Sequence, residues 1–170
     1  LVTGATGFKG SWLCMWLIKL GANVQGIGFT PNNNKSLFHD LSLKKKVNLK
    51  LFDIRDYKKI QKLVNKTKPS IIFHLAGQPI VFESYKNPML TIDINFRGTL
   101  NILEITKKSK FVKSIVLITS VDCYENIGRL KKYNEDDRLG GQDPYSASKA
   151  STELIIKSYR ESIFKNKINC

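Results

Sequence analysis

The chain has 170 residues, 42% hydrophobic and 25% charged, which suits a folded globular domain and excludes disordered, collagen-like and disulfide-dense chains. Its 28 Lys and Arg outnumber 14 Asp and Glu for a formal charge of +14. The lysines are dispersed along helical solvent faces rather than interleaved with aromatics, so nucleic-acid binding is not expected. No apolar run reaches membrane-spanning length, because Lys19, Asn23 and Gln25 interrupt the opening segment.

Leu1-Val2-Thr3 reads as a buried strand already under way, and Lys167-Ile168-Asn169-Cys170 as a strand just beginning. The chain is therefore expected to be cut from a larger protein at both ends, with no secretory leader visible. Residues 8–20 have helical spacing, with Trp12, Met15, Trp16 and Leu20 on related turns and the two tryptophans expected in the core. Residues 24–29 form a second strand containing Gly26 and Gly28. Pro31 and Asn32, Asn33 and Asn34 make a loop, and a short helix falls in 36–43. Residues 47–52 alternate as a strand, and 56–66 form a helix with Ile60, Leu63 and Val64 inward. Pro69 stops that helix before an apolar strand at 71–75. A long helix covers about 88–108, with Leu90, Ile94, Leu100, Ile102, Leu103 and Ile105 on its apolar side. A strand at 114–119 precedes a second long helix at 145–164, with Leu154, Ile155, Tyr159 and Ile163 expected on its buried face.

Strands alternating with helices at this spacing imply βαβ crossovers. The fold class is α/β, a doubly wound parallel sheet of Rossmann type over residues 1–170, which stops near its sixth strand. Cys14, Cys123 and Cys170 are odd in number and lack CxxC spacing, which suits reduced thiols in a cytoplasm. With only His39 and His74 beside them, no metal site is expected.

Between the first strand and first helix stands Gly4-Ala5-Thr6-Gly7-Phe8-Lys9-Gly10. Gly4 suits the tight turn, Gly7 lets a pyrophosphate approach the backbone, and Gly10 lets helix and strand pack closely. The helix N-terminus then offers free N–H groups to phosphates. A carboxylate for the ribose hydroxyls is absent after the second strand, which ends Gly28-Phe29-Thr30-Pro31. NAD is expected and NADP stays open, with Lys35 and the three asparagines the nearest polar residues.

Tyr145-Ser146-Ala147-Ser148-Lys149 sets a phenol and an amine four apart on one helix face. A phenol normally titrates near ~10, and a neighbouring ammonium favours its ionised form. Lys149 can also hold a ribose, and Ser120 can hydrogen-bond a substrate hydroxyl. Together the three would take a proton from an alcohol as hydride leaves its carbon.

These residues make the chain resemble the extended short-chain dehydrogenase/reductase superfamily. The resemblance implies that Gly4, Thr6, Gly7, Phe8 and Gly10 form the dinucleotide loop, and that Asp53 and Ile54 meet the adenine. It further implies that Leu75, Ala76 and Gly77 line the cofactor, that Asn95 belongs to a structural helix signature beside it, and that Tyr145 and Lys149 also touch it. Longer phrases resemble the CDP-glucose 4,6-dehydratases within that superfamily: Gly7-Phe8-Lys9-Gly10-Ser11-Trp12-Leu13, Ser36-Leu37-Phe38, Phe73-His74-Leu75-Ala76-Gly77-Gln78-Pro79, Cys123-Tyr124-Glu125-Asn126, and Leu139-Gly140-Gly141-Gln142-Asp143-Pro144-Tyr145-Ser146. This implies C4 oxidation of a nucleotide-linked glucose, loss of water across C5 and C6, and hydride return to C6, with Gln78, Ser120 and Tyr124 on the substrate. It also implies a homodimer through the two long helices, and a C-terminal substrate domain most of which this stretch of chain is expected to lack.

In these dehydratases an Asp normally follows the catalytic Ser or Thr, whereas Ser120 is followed by Val121 and then Asp122. Valine cannot donate a proton, so Asp122 is the candidate acid or base, displaced by one position. A nucleotide-sugar 4-epimerase or another oxidoreductase of the superfamily needs no such acid and is the alternative enzyme. A non-catalytic dinucleotide-binding protein is the alternative of another class. His74 is expected to be packed or hydrogen-bonded beside the cofactor, Cys123 unreactive, and Glu135-Asp136-Asp137 a solvated loop.

Overall fold

The structure, a computed structural model, describes residues 1–30, 36–128 and 132–170. The expected loop at Pro31 and the polar candidates Asn32, Asn33, Asn34 and Lys35 lie outside the described residues. Five parallel strands make one sheet in the order β3-β2-β1-β4-β5: β1 Val2–Thr3, β2 Gln25–Gly28, β3 Asn48–Leu51, β4 Ile71–His74 and β5 Ser114–Leu117. The order reverses at β1, whose Thr3 stands in register with Ile27 on one side and His74 on the other. Ligands of doubly wound sheets bind at such a switch point, beyond the carboxyl ends of the strands.

Helices cover both faces of the sheet. α1 (Phe8–Lys19) and α2 (Leu37–Asp40) lie over a cluster of Val2, Ala5, Cys14, Val24, Phe38, Leu43 and Val47. The opposite cluster joins Ile27, Ile60, Leu63, Ile72, Ile102, Leu103 and Ile115 beneath α3 (Tyr57–Thr67) and α6 (Gly98–Lys108). α3 starts at Asp56, whose carboxylate accepts the Lys59 N–H, and ends at Lys68 in the left-handed region, just before Pro69. Ile60, Leu63 and Val64 are all buried, as their spacing predicts.

The first predicted long helix consists of α5 (Pro88–Ile92), a π turn (Asp93–Arg97) and α6. The second consists of α7 (Pro144–Ser158) followed by a π turn (Tyr159–Phe164). Asp143 caps α7, accepting the Ser146 N–H at 3.0 Å and its hydroxyl at 2.6 Å, and Pro144 occupies the first turn. Near the chain end Asn169 bridges Ser114 of β5 in parallel sense, where a sixth strand was expected to begin.

Two burial expectations are corrected. Trp12 and Trp16 are not core residues: they are 52% and 65% exposed, and Leu20 is exposed too. The buried side of α1 is Gly10, Ser11 and Cys14. The helix is apolar around most of its circumference, so periodicity cannot choose a face. Close packing chooses it, because a Cβ on Gly10 would stand 2.0 Å from the Gly4 carbonyl oxygen. Leu154 is likewise 59% exposed. The buried stripe of α7 runs through Tyr145, Ser148, Lys149, Thr152 and Ile156, so polar contacts rather than apolarity orient the helix. A six-residue helix, α4 (Val81–Lys86), falls where no element was expected.

Candidate functional site

The turn after β1 is built from glycines whose roles the geometry separates. Gly4 has φ +70°, and a Cβ there would lie 2.8 Å from the Ala76 nitrogen. Both the left-handed backbone and the contact with the β4 loop therefore require glycine. Gly7 begins α1 with no side-chain cap, and the first helical turn carries no acidic residue. That leaves the first N–H groups directed outward, an arrangement suited to a phosphate. Thr6 packs on the end of β2, where a Cβ at Gly28 would meet its hydroxyl oxygen at 2.5 Å.

The floor beside this turn is a directed hydrogen-bond chain. The Ala76 N–H donates to Thr3 Oγ1 at 3.1 Å, and the Thr3 hydroxyl lies 2.7 Å from His74 Nδ1. On the other side, the Thr99 hydroxyl donates to the Asn95 carbonyl at 2.7 Å, so its oxygen is free to accept from His74 Nε2 at 3.1 Å. The Thr99 side of this chain puts a proton on Nε2, and in the neutral ring Nδ1 is then left to accept from Thr3. Burial, reinforced by the Lys149 charge, pushes the imidazole pKa down to about 3. His74 is thus the hydrogen-bonded packing residue expected from the sequence.

Asn95, on the π turn, holds the next stretch of loop. Its Oδ1 accepts the Gln78 N–H at 2.8 Å, while its Nδ2 donates to the Gln78 carbonyl at 3.2 Å and to Ser148 Oγ at 2.9 Å. The Gln78 side chain turns back onto Ile80 and Thr91. The Asp53 carboxylate takes three bonds from Arg55, which hold its carboxyl below the usual range, and Arg55 reaches on to Asp93 at 3.0 Å. Asn101 of α6 pins the same loop through the Ile54 and Arg55 carbonyls.

α7 supplies Tyr145 and Lys149, both buried. The Lys149 amine lies 5.9 Å from the centre of the Tyr145 ring. Burial first, and Lys9 second, lower the Lys149 pKa from its ordinary value, while Glu153 acts in the opposite sense. A Cβ at Gly77 would stand only 3.4 Å from the same amine, which brings the β4 loop against it. Among the described residues, neither the Lys149 amine nor the Tyr145 hydroxyl has a hydrogen-bond partner.

These parts enclose a cleft of about 720 Å³ at the switch point. Its wall includes Gly4, Thr6, Gly7, Phe8 and Gly10 from the first turn, and Asp53 and Ile54 from the β3 loop. Leu75, Ala76, Gly77 and Gln78 come from the β4 loop, and Tyr145 and Lys149 from α7. Four sequence candidates lie off this wall. Asn95 is buried behind it with its amide committed to Gln78 and Ser148. Ser120 caps the start of a 3₁₀ turn (Val121–Cys123) that packs against α7, Asp122 lies on it and Tyr124 follows it. There the Ser120 hydroxyl donates to the Asp122 carboxylate at 2.9 Å, so Asp122 folds back toward Ser120. Tyr124 stacks on Tyr133, with ring centres 5.3 Å apart. Cys123 is buried and its thiol is pushed up to about 11, as suits an unreactive cysteine.

Sequence reasoning missed Lys9, Phe29, Thr119 and Glu83, which also line the cleft. Lys9 could have been found as the one cation inside the glycine motif; the others carried no motif. The residues present fit a dinucleotide: a glycine cradle that a Cβ would fill, an uncapped helix N-terminus, and an unpartnered buried amine beside a phenol.

The family described as GDP-mannose 4,6 dehydratase matches residues 1–169. The CDP-glucose 4,6-dehydratase of Salmonella typhimurium is 42% identical over 163 residues, covering 96% of this chain and 45% of that protein. The UDP-glucuronate 4-epimerase of Thermodesulfobacterium geofontis is 31% identical over 94% of this chain and 50% of its own length. Among solved structures, the Thermus thermophilus UDP-glucose 4-epimerase complex with NAD superposes with a TM-score of 0.82 at 26% identity, over 95% of this chain and 50% of that one. The chain thus spans about half the length of these relatives. No helix among the described residues is long and apolar enough to cross a membrane.

Proposed function

We propose a function from one premise: the chain belongs to the GDP-mannose 4,6 dehydratase family, and the relatives named above are nucleotide-sugar dehydratases and epimerases. The proposed function is that of an NAD-dependent nucleotide-sugar 4,6-dehydratase, with CDP-glucose as substrate and a CDP-linked 4-keto-6-deoxy sugar and water as products. The observation that carries it is the meeting of the Gly4–Gly10 turn and the Tyr145–Lys149 pair in one cleft.

Bound over the glycine turn, the dinucleotide supplies a hydride acceptor for C4 and a donor for C6. The chain's own residues do the rest. The outward N–H groups of α1 and the Lys9 ammonium hold the diphosphate. Tyr145 takes the proton from the C4 hydroxyl, with the Lys149 charge beside its ring. Ser120 hydrogen-bonds the same hydroxyl, and Asp122, already bonded to Ser120, is the carboxylate available for loss of water. No carboxylate follows β2 at Gly28, Phe29 or Thr30, so NADP is tested beside NAD.

One observation favours a second reading. Val121 is 63% exposed at the position where a dehydratase is expected to carry its acid, and it has no proton to give. A 4-epimerase needs only the oxidation machinery. Incubating the full-length protein with CDP-glucose and each cofactor separates the two. A 4-keto-6-deoxy product supports dehydration, and CDP-galactose supports epimerisation. Neither product, or either one undiminished in Tyr145→Phe, would sink the proposed chemistry.

A further inference from the structure

Glu153 lies one turn beyond Lys149 on α7, at the i+4 position. The Thr119 hydroxyl donates to its Oε1. Thr119 lies on the cleft wall, at the end of the segment that leads from β5 into Ser120. Glu153 thus ties the segment that leads from β5 into Ser120 to the helix carrying Tyr145 and Lys149, and a threonine hydroxyl fixes the direction of its carboxylate.

We propose that Glu153 is a positioning residue of this site: held by Thr119 one helical turn from Lys149, its carboxylate sets a negative charge near the amine that neighbours Tyr145. The proposal rests on reading Tyr145 and Lys149 as the reactive pair.

The groups around Lys149 make this charge consequential. From α1, Lys9 repels it. From β4, His74 faces it as a neutral ring and supplies no negative charge. Glu83 of α4 lies across the cleft. From the 3₁₀ turn, Asp122 is turned toward Ser120, and Cys123 is a buried thiol. On α7 itself stand Tyr145 and Glu153. Burial and Lys9 both disfavour the ammonium, and Glu153 opposes them. Its field also reaches Cys123, where it adds to the effect of burial.

The test is a pH titration of the Lys149 side chain in the full-length protein, by carbon-13 NMR of its Cε with Lys149→Arg as the assignment control. In Glu153→Gln the bond to Thr119 can persist while the charge is gone, and the Lys149 midpoint should fall by roughly 0.5–1 pH units. Thr119→Val leaves the charge but frees its position, and should lower the midpoint by less. An unchanged midpoint in Glu153→Gln overturns the proposal, as does a Thr119→Val change that equals or exceeds it. Should the Gln variant not fold, Thr119→Val decides alone: a fall supports the proposal and no change refutes it. The titration needs neither substrate nor cofactor. Absence of product from the wild-type protein would therefore defeat the functional reading while leaving this result interpretable.

Discussion

Lowering the pH from 7 to 4.5 should cost the fold about 2.5 kcal/mol through His74 alone. The imidazole has an ordinary pKa of 6.5 and is held at about 3 inside the protein, fully buried between two threonine hydroxyls. Protonating Nδ1 would take away the acceptor that the Thr3 hydroxyl faces, force that hydroxyl to turn its proton elsewhere, and put a positive charge into a buried site that already feels the Lys149 charge. Below pH 6.5 the unfolded chain therefore binds a proton that the folded chain refuses. Stability falls with pH from about 6.5 and levels off near 3. Each pH unit in that window is worth about 1.4 kcal/mol, less near its ends. The assay is urea unfolding followed by far-UV circular dichroism at several pH values, for the wild type and for His74→Gln. The variant should be less stable at pH 7, since it disturbs a buried network, but its stability should fall less steeply on acidification, by about 2.5 kcal/mol over the interval. The carboxylates titrate in both proteins and cancel in the difference. Parallel pH dependences, or an imidazole that titrates near 6.5 in the folded protein, would refute the argument.

The glycine turn and the elimination chemistry each yield a sharper check. Gly10→Ala places a methyl group 2.0 Å from the Gly4 carbonyl oxygen, so the turn must open; the expected loss is at least about 1–3 kcal/mol of stability, with NAD binding by calorimetry falling at least tenfold, and wild-type affinity in the variant would show that the turn is not the cradle. Val121→Asp should raise the ratio of 4-keto-6-deoxy product to epimerised sugar, read by chromatography of the nucleotide sugars, and an unchanged ratio counts against the missing acid having stood there.

Much of the frame was legible because it depends on local rules. Gly4, Gly7 and Gly10 announced a turn that only small residues can make, and Asp56 and Asp143 stand where helix starts need a capping oxygen. The parallel order followed from strands alternating with helices. Trp12 and Trp16 misled because α1 is apolar almost all round, and the deciding contact is a backbone approach at Gly10 that no hydropathy pattern records. Leu154 misled for the complementary reason: α7 buries Ser148, Lys149 and Thr152 in preference to a leucine. At the site, Tyr145 and Lys149 were readable as neighbours on one helix. The reach of Glu153 to Thr119 depends on how the segment after β5 meets a helix that starts more than twenty residues later. Sequence spacing does not encode such a meeting.

Both tryptophans of the chain lie on α1, one helical turn apart and open to water. Indole emission should therefore be red-shifted in the native protein and change little on denaturation, making fluorescence a poor monitor of unfolding. It becomes instead a dedicated optical probe of a single surface: a blue shift at constant dichroism would signal that something has come to rest on the outer side of that helix.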